Sequence, residues 1–170
     1  MTVIVRHRQV ATDSWQLLEA AADGAAPPVP PAGDIIVPLA LWRARHDALR
    51  SRAGRLGVWL DSHEDPALIA QDLSHFALVA VNFPQFTDGR GYSIARLLRE
   101  RYGWRGELRA IGDVFRDQLF YLARCGFDAF ALRPSEDAQA VLSAFDDFSE
   151  AYQTAADRPL PLFRRRFVKL

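Results

Sequence analysis

From Asp34 onward, short apolar runs alternate with helical patterns at near-regular intervals, and this alternation most constrains the fold. The runs are Ile35–Val37, Leu56–Leu60, Phe76–Phe83, Leu108–Ile111 and Phe127–Leu132. Their lengths suit strands buried on both faces, as in a parallel sheet. Helical patterns lie between and after them near 39–53, 66–73, 92–103, 114–125 and 136–155. Asp65-Pro66 offers an N-cap followed by proline at the first helical position, and Ser135-Glu136-Asp137 offers a cap with negative charge at a helix start. Gly103 and Gly126 are natural stops. Strand–helix alternation of this kind makes a mainly parallel sheet covered by helices.

Two α/β geometries fit: an open three-layer sandwich and a partial β/α barrel. A full eight-unit barrel does not fit in 170 residues. Both surviving geometries place ligands at the carboxyl ends of the strands. The expected organisation is one domain over 1–170. Residues 1–22 form an N-terminal β-hairpin, with Val3–Val10 as one strand and Asp13–Leu18 returning beside it. A Pro/Gly/Ala loop covers 23–33, the β-α repeats cover 34–158, and 159–170 form a C-terminal segment in which Phe163–Val168 adds an edge strand.

Composition removes several function classes. The 21 basic and 21 acidic residues cancel, which argues against a general nucleic-acid binder. No apolar stretch reaches the roughly 20 residues needed to span a bilayer, and the N-terminus lacks a signal-peptide pattern, so a cytoplasmic protein without membrane association is expected. Cys125 is the only cysteine, and His7, His46, His63 and His75 show no metal-ligand spacing with one another. No metal site and no cofactor motif is evident. Cys125 ends a helix, where the dipole opposes a thiolate, and reads as a small buried apolar residue. All basic residues but Lys169 are arginine. Codon bias accounts for most of them, so position decides which ones matter.

The third run leads into Asn82-Phe83-Pro84-Gln85-Phe86-Thr87-Asp88-Gly89-Arg90-Gly91-Tyr92-Ser93. Two glycines bracket an arginine before a helix, where backbone N–H groups can approach an anion. Gly89, Arg90, Gly91, Ser93, Arg96 and Arg133 are the candidate anion-binding residues, with Arg90 as a planar clamp. Asp88, Tyr92 and Asp113 are the candidate proton-handling, catalytic residues. The plain alternative is a structural turn with Tyr92 packed beneath the helix. The dinucleotide fingerprint fails, because Ile94 stands where the third glycine belongs and five residues separate Phe83 from Gly89. His63 could shuttle protons but reads as solvated surface. Arg109 lies within a strand, and if buried it needs a carboxylate from Asp113 or Glu107.

Two blocks carry a family resemblance. They are Phe86–Arg99 and Gly106–Val114, the latter continued by Arg116-Asp117-Gln118-Leu119 and Arg124–Phe130. With Ile36–Trp42 they resemble an uncharacterised bacterial family, a domain of unknown function usually labelled a probable oxidoreductase. Its members are typically encoded beside assimilatory sulfite reductase and adenylyl-sulfate reductase in proteobacteria. The resemblance implies a pathway, sulfate assimilation, without implying a reaction. It leads to the expectation of an accessory protein of sulfite reduction, with sulfite reductase or its electron donor as partner and a sulfur oxyanion or small anion as ligand. A small-molecule α/β enzyme or sensor using the Asp88-Gly89-Arg90-Gly91 loop, and a non-catalytic scaffold, are the alternatives. More loosely, Asp88–Ser93 is similar to the strand–loop–helix turn of barrel-type cyclic-dinucleotide phosphodiesterases. Their Glu-Ala-Leu motif is absent, so only a barrel-like geometry is implied.

Overall fold

The computed structural model describes residues 2–19 and 27–165. Eight strands form one sheet: β1 (Thr2–Arg6), β2 (Gln9–Asp13), β3 (Gln16–Leu17), β4 (Ile35–Pro38), β5 (Leu56–Leu60), β6 (Leu78–Phe83), β7 (Glu107–Gly112) and β8 (Ala129–Phe130). Their spatial order is β2-β1-β8-β7-β6-β5-β4-β3. From β3 to β8 all pairings are parallel, while β1 runs antiparallel to both β2 and β8. Strands β4 to β8 are therefore laid down side by side in chain order. With right-handed crossovers, that order puts every connecting helix on one face. The open three-layer sandwich, which needs helices on both faces, does not occur. The sheet is a curled half-barrel.

The edges of the sheet show how far it curls. β2 and β3 lie at opposite ends of the strand order, yet only Ser14 and Trp15 separate them in sequence. Three Cα–Cα steps cannot span more than roughly 11 Å. A flat eight-stranded sheet would hold those edges much farther apart, so the sheet must wrap. The Trp59 indole, on β5, donates to the Leu18 carbonyl at 2.9 Å and ties the returning chain down.

Most of the core lies between the helices and the outer face, where Val37, Val58, Val79, Val81, Leu108, Ala110 and Phe130 meet Trp42, Ile94, Leu98, Leu119 and Leu122. A smaller inner cluster of Ile36, Leu78, Ala80 and Ile111 packs with Trp15 and Trp59. Period-two alternation along β6 sends Val79, Val81 and Phe83 outward and Leu78 and Ala80 inward. The helices are α1 (Leu39–Arg50), α2 (Arg90–Arg96, continued by a π-helical turn over Leu97–Arg101), α3 (Leu119–Cys125) and α4 (Leu162–Arg165). Among the described residues no helix is long and apolar enough to cross a membrane.

Four local expectations are corrected. The hairpin turns at His7-Arg8, so Gln9–Asp13 is its second strand, while Gln16–Leu17 pairs with β4. Both turn residues have left-handed φ, +48° and +62°, the mark of a type I′ turn, but the sequence lacks the Asn-Gly signal that reveals one. The 66–73 pattern becomes two short 3-10 turns, Pro66–Ile69 and Leu73–His75. The expected helix over 136–155 shrinks to a 3-10 segment, Ala140–Asp146. Beyond it the chain departs from helix to set Ala156 N–H on the Arg124 carbonyl, 2.9 Å away. The expected edge strand Phe163–Val168 begins instead inside α4, and residues 166–170 lie outside the described residues. Of the Pro/Gly/Ala loop, 23–26 also lie outside them, and 27–33 carry no regular element.

Candidate functional site at the strand ends

The carboxyl ends of β5 to β8 bring together segments 61–64, 84–90, 113–118 and 131–133 along one edge. β5 ends in Asp61 and Ser62. The Asp61 carboxylate accepts from its neighbour's Ser62 N–H at 2.8 Å and from the Asn82 amide of β6 at 3.1 Å, which locks the two strand ends in register. His63 places Nδ1 3.4 Å from the same carboxylate.

The glycine loop is organised by Asp88. Its carboxylate accepts from the Arg90 backbone N–H at 3.1 Å and from the Arg90 guanidinium at 3.0 and 2.7 Å. The same guanidinium donates to Ser62 Oγ at 2.9 Å, joining the loop to β5. These hydrogen bonds, from Arg90 first and then Ser62, hold the Asp88 carboxyl well below the usual carboxylate range. The arrangement thus gives Arg90 an internal anion, and Asp88 occupies both the fork and the first backbone donor that an external oxyanion would use. α2 is seven residues long, so its dipole adds little.

The glycines of the loop differ in purpose. A Cβ on buried Gly91 would come within 2.6 Å of the Phe83 ring, so this glycine exists for packing against β6. At Gly112, which ends β7 with φ +90°, a Cβ would meet Asn82 Oδ1 at 2.4 Å and the Phe83 carbonyl at 2.5 Å. Gly89 and Ser93 are exposed.

Asp113 organises the neighbouring cluster. One carboxylate oxygen accepts from the Phe86 backbone N–H at 3.0 Å, and the other lies 3.1 Å from Arg133 Nε. The Arg133 guanidinium also stacks 4.5 Å above the Phe115 ring, and Phe86 meets that ring edge-on at 5.3 Å. The buried Arg109 takes its carboxylates from Asp13 and Glu107, with contacts of 2.8 and 2.7 Å. The Glu107 expectation holds, whereas Asp113 lies at the opposite end of β7, committed to Arg133.

The remaining candidates turn elsewhere. Tyr92 packs between Phe83 and Tyr121, at 5.3 and 5.1 Å, under α2 and α3. Burial pushes its hydroxyl pKa up, and Gln118 is its polar neighbour. Arg96 bonds Glu100 one turn on. Cys125 is buried against Tyr121, and desolvation pushes its thiol pKa up. The structure therefore gathers Asp88, Arg90, Asp113 and Arg133 at the strand ends, and sets Tyr92 and Arg96 into the interface of α2 with α3. Ser62, Phe86 and Phe115 complete the edge. No local pattern marks Ser62, whose partner is 28 positions away. Among the described residues no group of three or more His, Cys, Asp or Glu side chains is arranged to hold a metal ion.

The chain belongs to the family described as "Bacterial protein of unknown function (DUF934)", whose model matches residues 57–163. That span runs from β5 to α4 and contains the whole strand-end edge. Nothing matches among curated proteins or among solved structures.

Proposed function

We propose that this protein is an accessory protein of assimilatory sulfate and sulfite reduction, supporting sulfite reductase as an adaptor or oxyanion-handling partner. The pathway rests on the resemblance carried by Phe86–Arg99, Gly106–Val114, Arg116–Leu119 and Arg124–Phe130. The adaptor form rests on one observation: Arg90 and Arg133 at the strand ends already face carboxylates of the same edge, Asp88 and Asp113, while the Phe86 ring on that edge is exposed. An edge whose arginines are already paired with carboxylates, beside an exposed aromatic ring, has the makeup of a protein contact. A trap for small anions would leave its cations without internal partners.

The test is capture of the tagged full chain from sulfate-grown cells, with a Phe86→Ser variant beside it. Recovery of sulfite reductase or its electron donor by the natural chain, reduced at least about fivefold in the variant, is expected for a central aromatic anchor. Recovery of neither protein overturns the adaptor reading. Gene deletion locates the step: growth restored by cysteine and not by sulfite is expected, and restoration by sulfite moves the role upstream.

Oxyanion handling remains the second form because the Arg90 and Arg133 side chains are 61% and 42% exposed, open enough to exchange carboxylate partners for a ligand. Calorimetry against sulfite, sulfate and adenylyl sulfate checks it. Equal binding by the natural chain and Arg90→Ala would sink the clamp.

A further inference from the structure

A cavity of about 620 Å³ lies behind the sheet edge, between the His7-Arg8 turn, α3 and the chain that follows β8. That volume is within the range of small-molecule sites. It is independent of the strand-end edge: His7 N–H donates to the Asp128 carbonyl immediately before β8, whereas Arg133 follows the other end of that strand. Its wall is aromatic. Phe127, Phe130 and Phe145 are buried there, and Phe120 and Phe148 pair at 5.0 Å, with Phe148 64% exposed.

The charged groups in this wall are unequal. Asp128 is turned into the fold, where Leu108 N–H and Arg99 occupy its two oxygens at 2.9 Å each. Arg158 is held by Glu150 at 3.0 Å. Two cations are only loosely matched. Arg8 lies 3.5 Å from Asp146, with both side chains largely exposed, and its guanidinium sits 5.3 Å from the Phe145 ring centre. Arg124 is buried and reaches the Gln153 carbonyl, but among the described residues its Nε has no hydrogen-bond partner and stands 3.6 Å from Asp157. Both separations are long for charge-assisted hydrogen bonds.

The turn supplies an independent pointer. His7 and Arg8 hold the two left-handed positions of the hairpin, where Asn-Gly costs least and side chains such as these are strained. Both residues line the cavity. The turn spends conformational energy to present an imidazole and a guanidinium to an aromatic chamber.

We propose that this cavity binds a small anion with a flat apolar body, an aromatic carboxylate or sulfonate. The ring system lies against Phe120 and Phe148, over a floor of buried Phe127, Phe130 and Phe145, and the anionic head is held by Arg8 with Arg124.

Anilinonaphthalene sulfonate tests this on the full chain, with the uncharged N-phenylnaphthylamine as comparison. Saturable binding of one sulfonate dye per chain is expected, together with a raised melting temperature. The informative variant is Arg8→Gly, which relieves the left-handed backbone while removing the cation. It should melt no lower than the natural chain, bind the sulfonate dye about tenfold more weakly, and leave the neutral dye unaffected. Equal sulfonate affinity in Arg8→Gly overturns the proposal, as does equal weakening of the neutral dye. A dye that lowers the melting temperature, or that binds without saturation, also overturns it, because it then reports unfolded chain.

Discussion

The two ends of the parallel sheet both carry arginine–carboxylate clusters, and they differ in what surrounds them. At the amino end, Arg109 is 1% exposed and is clasped by Asp13 and Glu107, with Arg6 3.0 Å from Glu107. The cluster links β7 to β2 inside the curl. At the carboxyl end, Arg90 and Arg133 make contacts of 2.7 and 3.1 Å, but with guanidinium side chains 61% and 42% exposed. Distance alone therefore ranks nothing. In the interior, removing one partner strands a charge that water cannot reach, whereas at the surface water and salt replace it.

The contrast breaks most readily at Arg109. Arg109→Met keeps much of the volume and leaves Asp13 with only Arg6, 4.0 Å away, while Glu107 keeps Arg6 at 3.0 Å; a loss of about 3 kcal/mol, the lower end for a severed buried pair, is expected. Urea unfolding checks it. A loss below about 1 kcal/mol would mean that water enters the curl and the two ends are alike.

The middle effect belongs to Arg133→Ala, which removes an exposed ion pair and a cation–π contact. About 0.5–1 kcal/mol is expected, diminishing in high salt. A salt-independent loss would mark the stacking on Phe115 as the larger part.

The smallest effect on stability is expected at the Asp88–Arg90 pair, where a pH titration is the sharper probe. Arg90 and Ser62 lower the folded pKa of Asp88 beneath its ordinary 3.8, so the pair's contribution is complete above that value. It fades as pH falls toward the lowered folded value. Carbon-detected NMR should find Asp88 still ionised at a pH where exposed aspartates are half protonated. Arg90→Ala should return its midpoint toward 3.8. An unchanged midpoint would transfer the depression to Ser62.

The repeat was legible in the sequence because burial on both faces writes continuous apolar runs such as Leu78–Val81, and because Asp65-Pro66 and Gly126 act within a few residues. The Asp65 carboxylate does accept from Ala67 N–H at 2.9 Å, and Gly126 caps α3 with φ +109°. The hairpin turn was not legible, since His-Arg takes a conformation that Asn-Gly normally announces. The 136–155 pattern misled for a related reason. Val141, Ala144, Phe145 and Phe148 keep helical spacing, but Phe148 is released to the surface as the chain swings to cover Arg124. At the strand ends, the collection of candidates on one edge could be read from the β-α order. Their pairing could not, because Asp113 lies only four residues from Arg109 and yet bonds Arg133.

Sequence alone determined the α/β class, the parallel run of strands, the buried thiol and the strand-end loops as the place where arginines and carboxylates would collect. Those properties follow from periodicity, local capping and the rule that successive parallel strands expose their ends together. Tertiary structure decided the curl, the single helical face, the carboxylate that each arginine keeps, and the aromatic cavity beside the hairpin. These depend on contacts between residues far apart in the chain. Arg109 meets Asp13 across 96 positions, and no local pattern encodes such a distance.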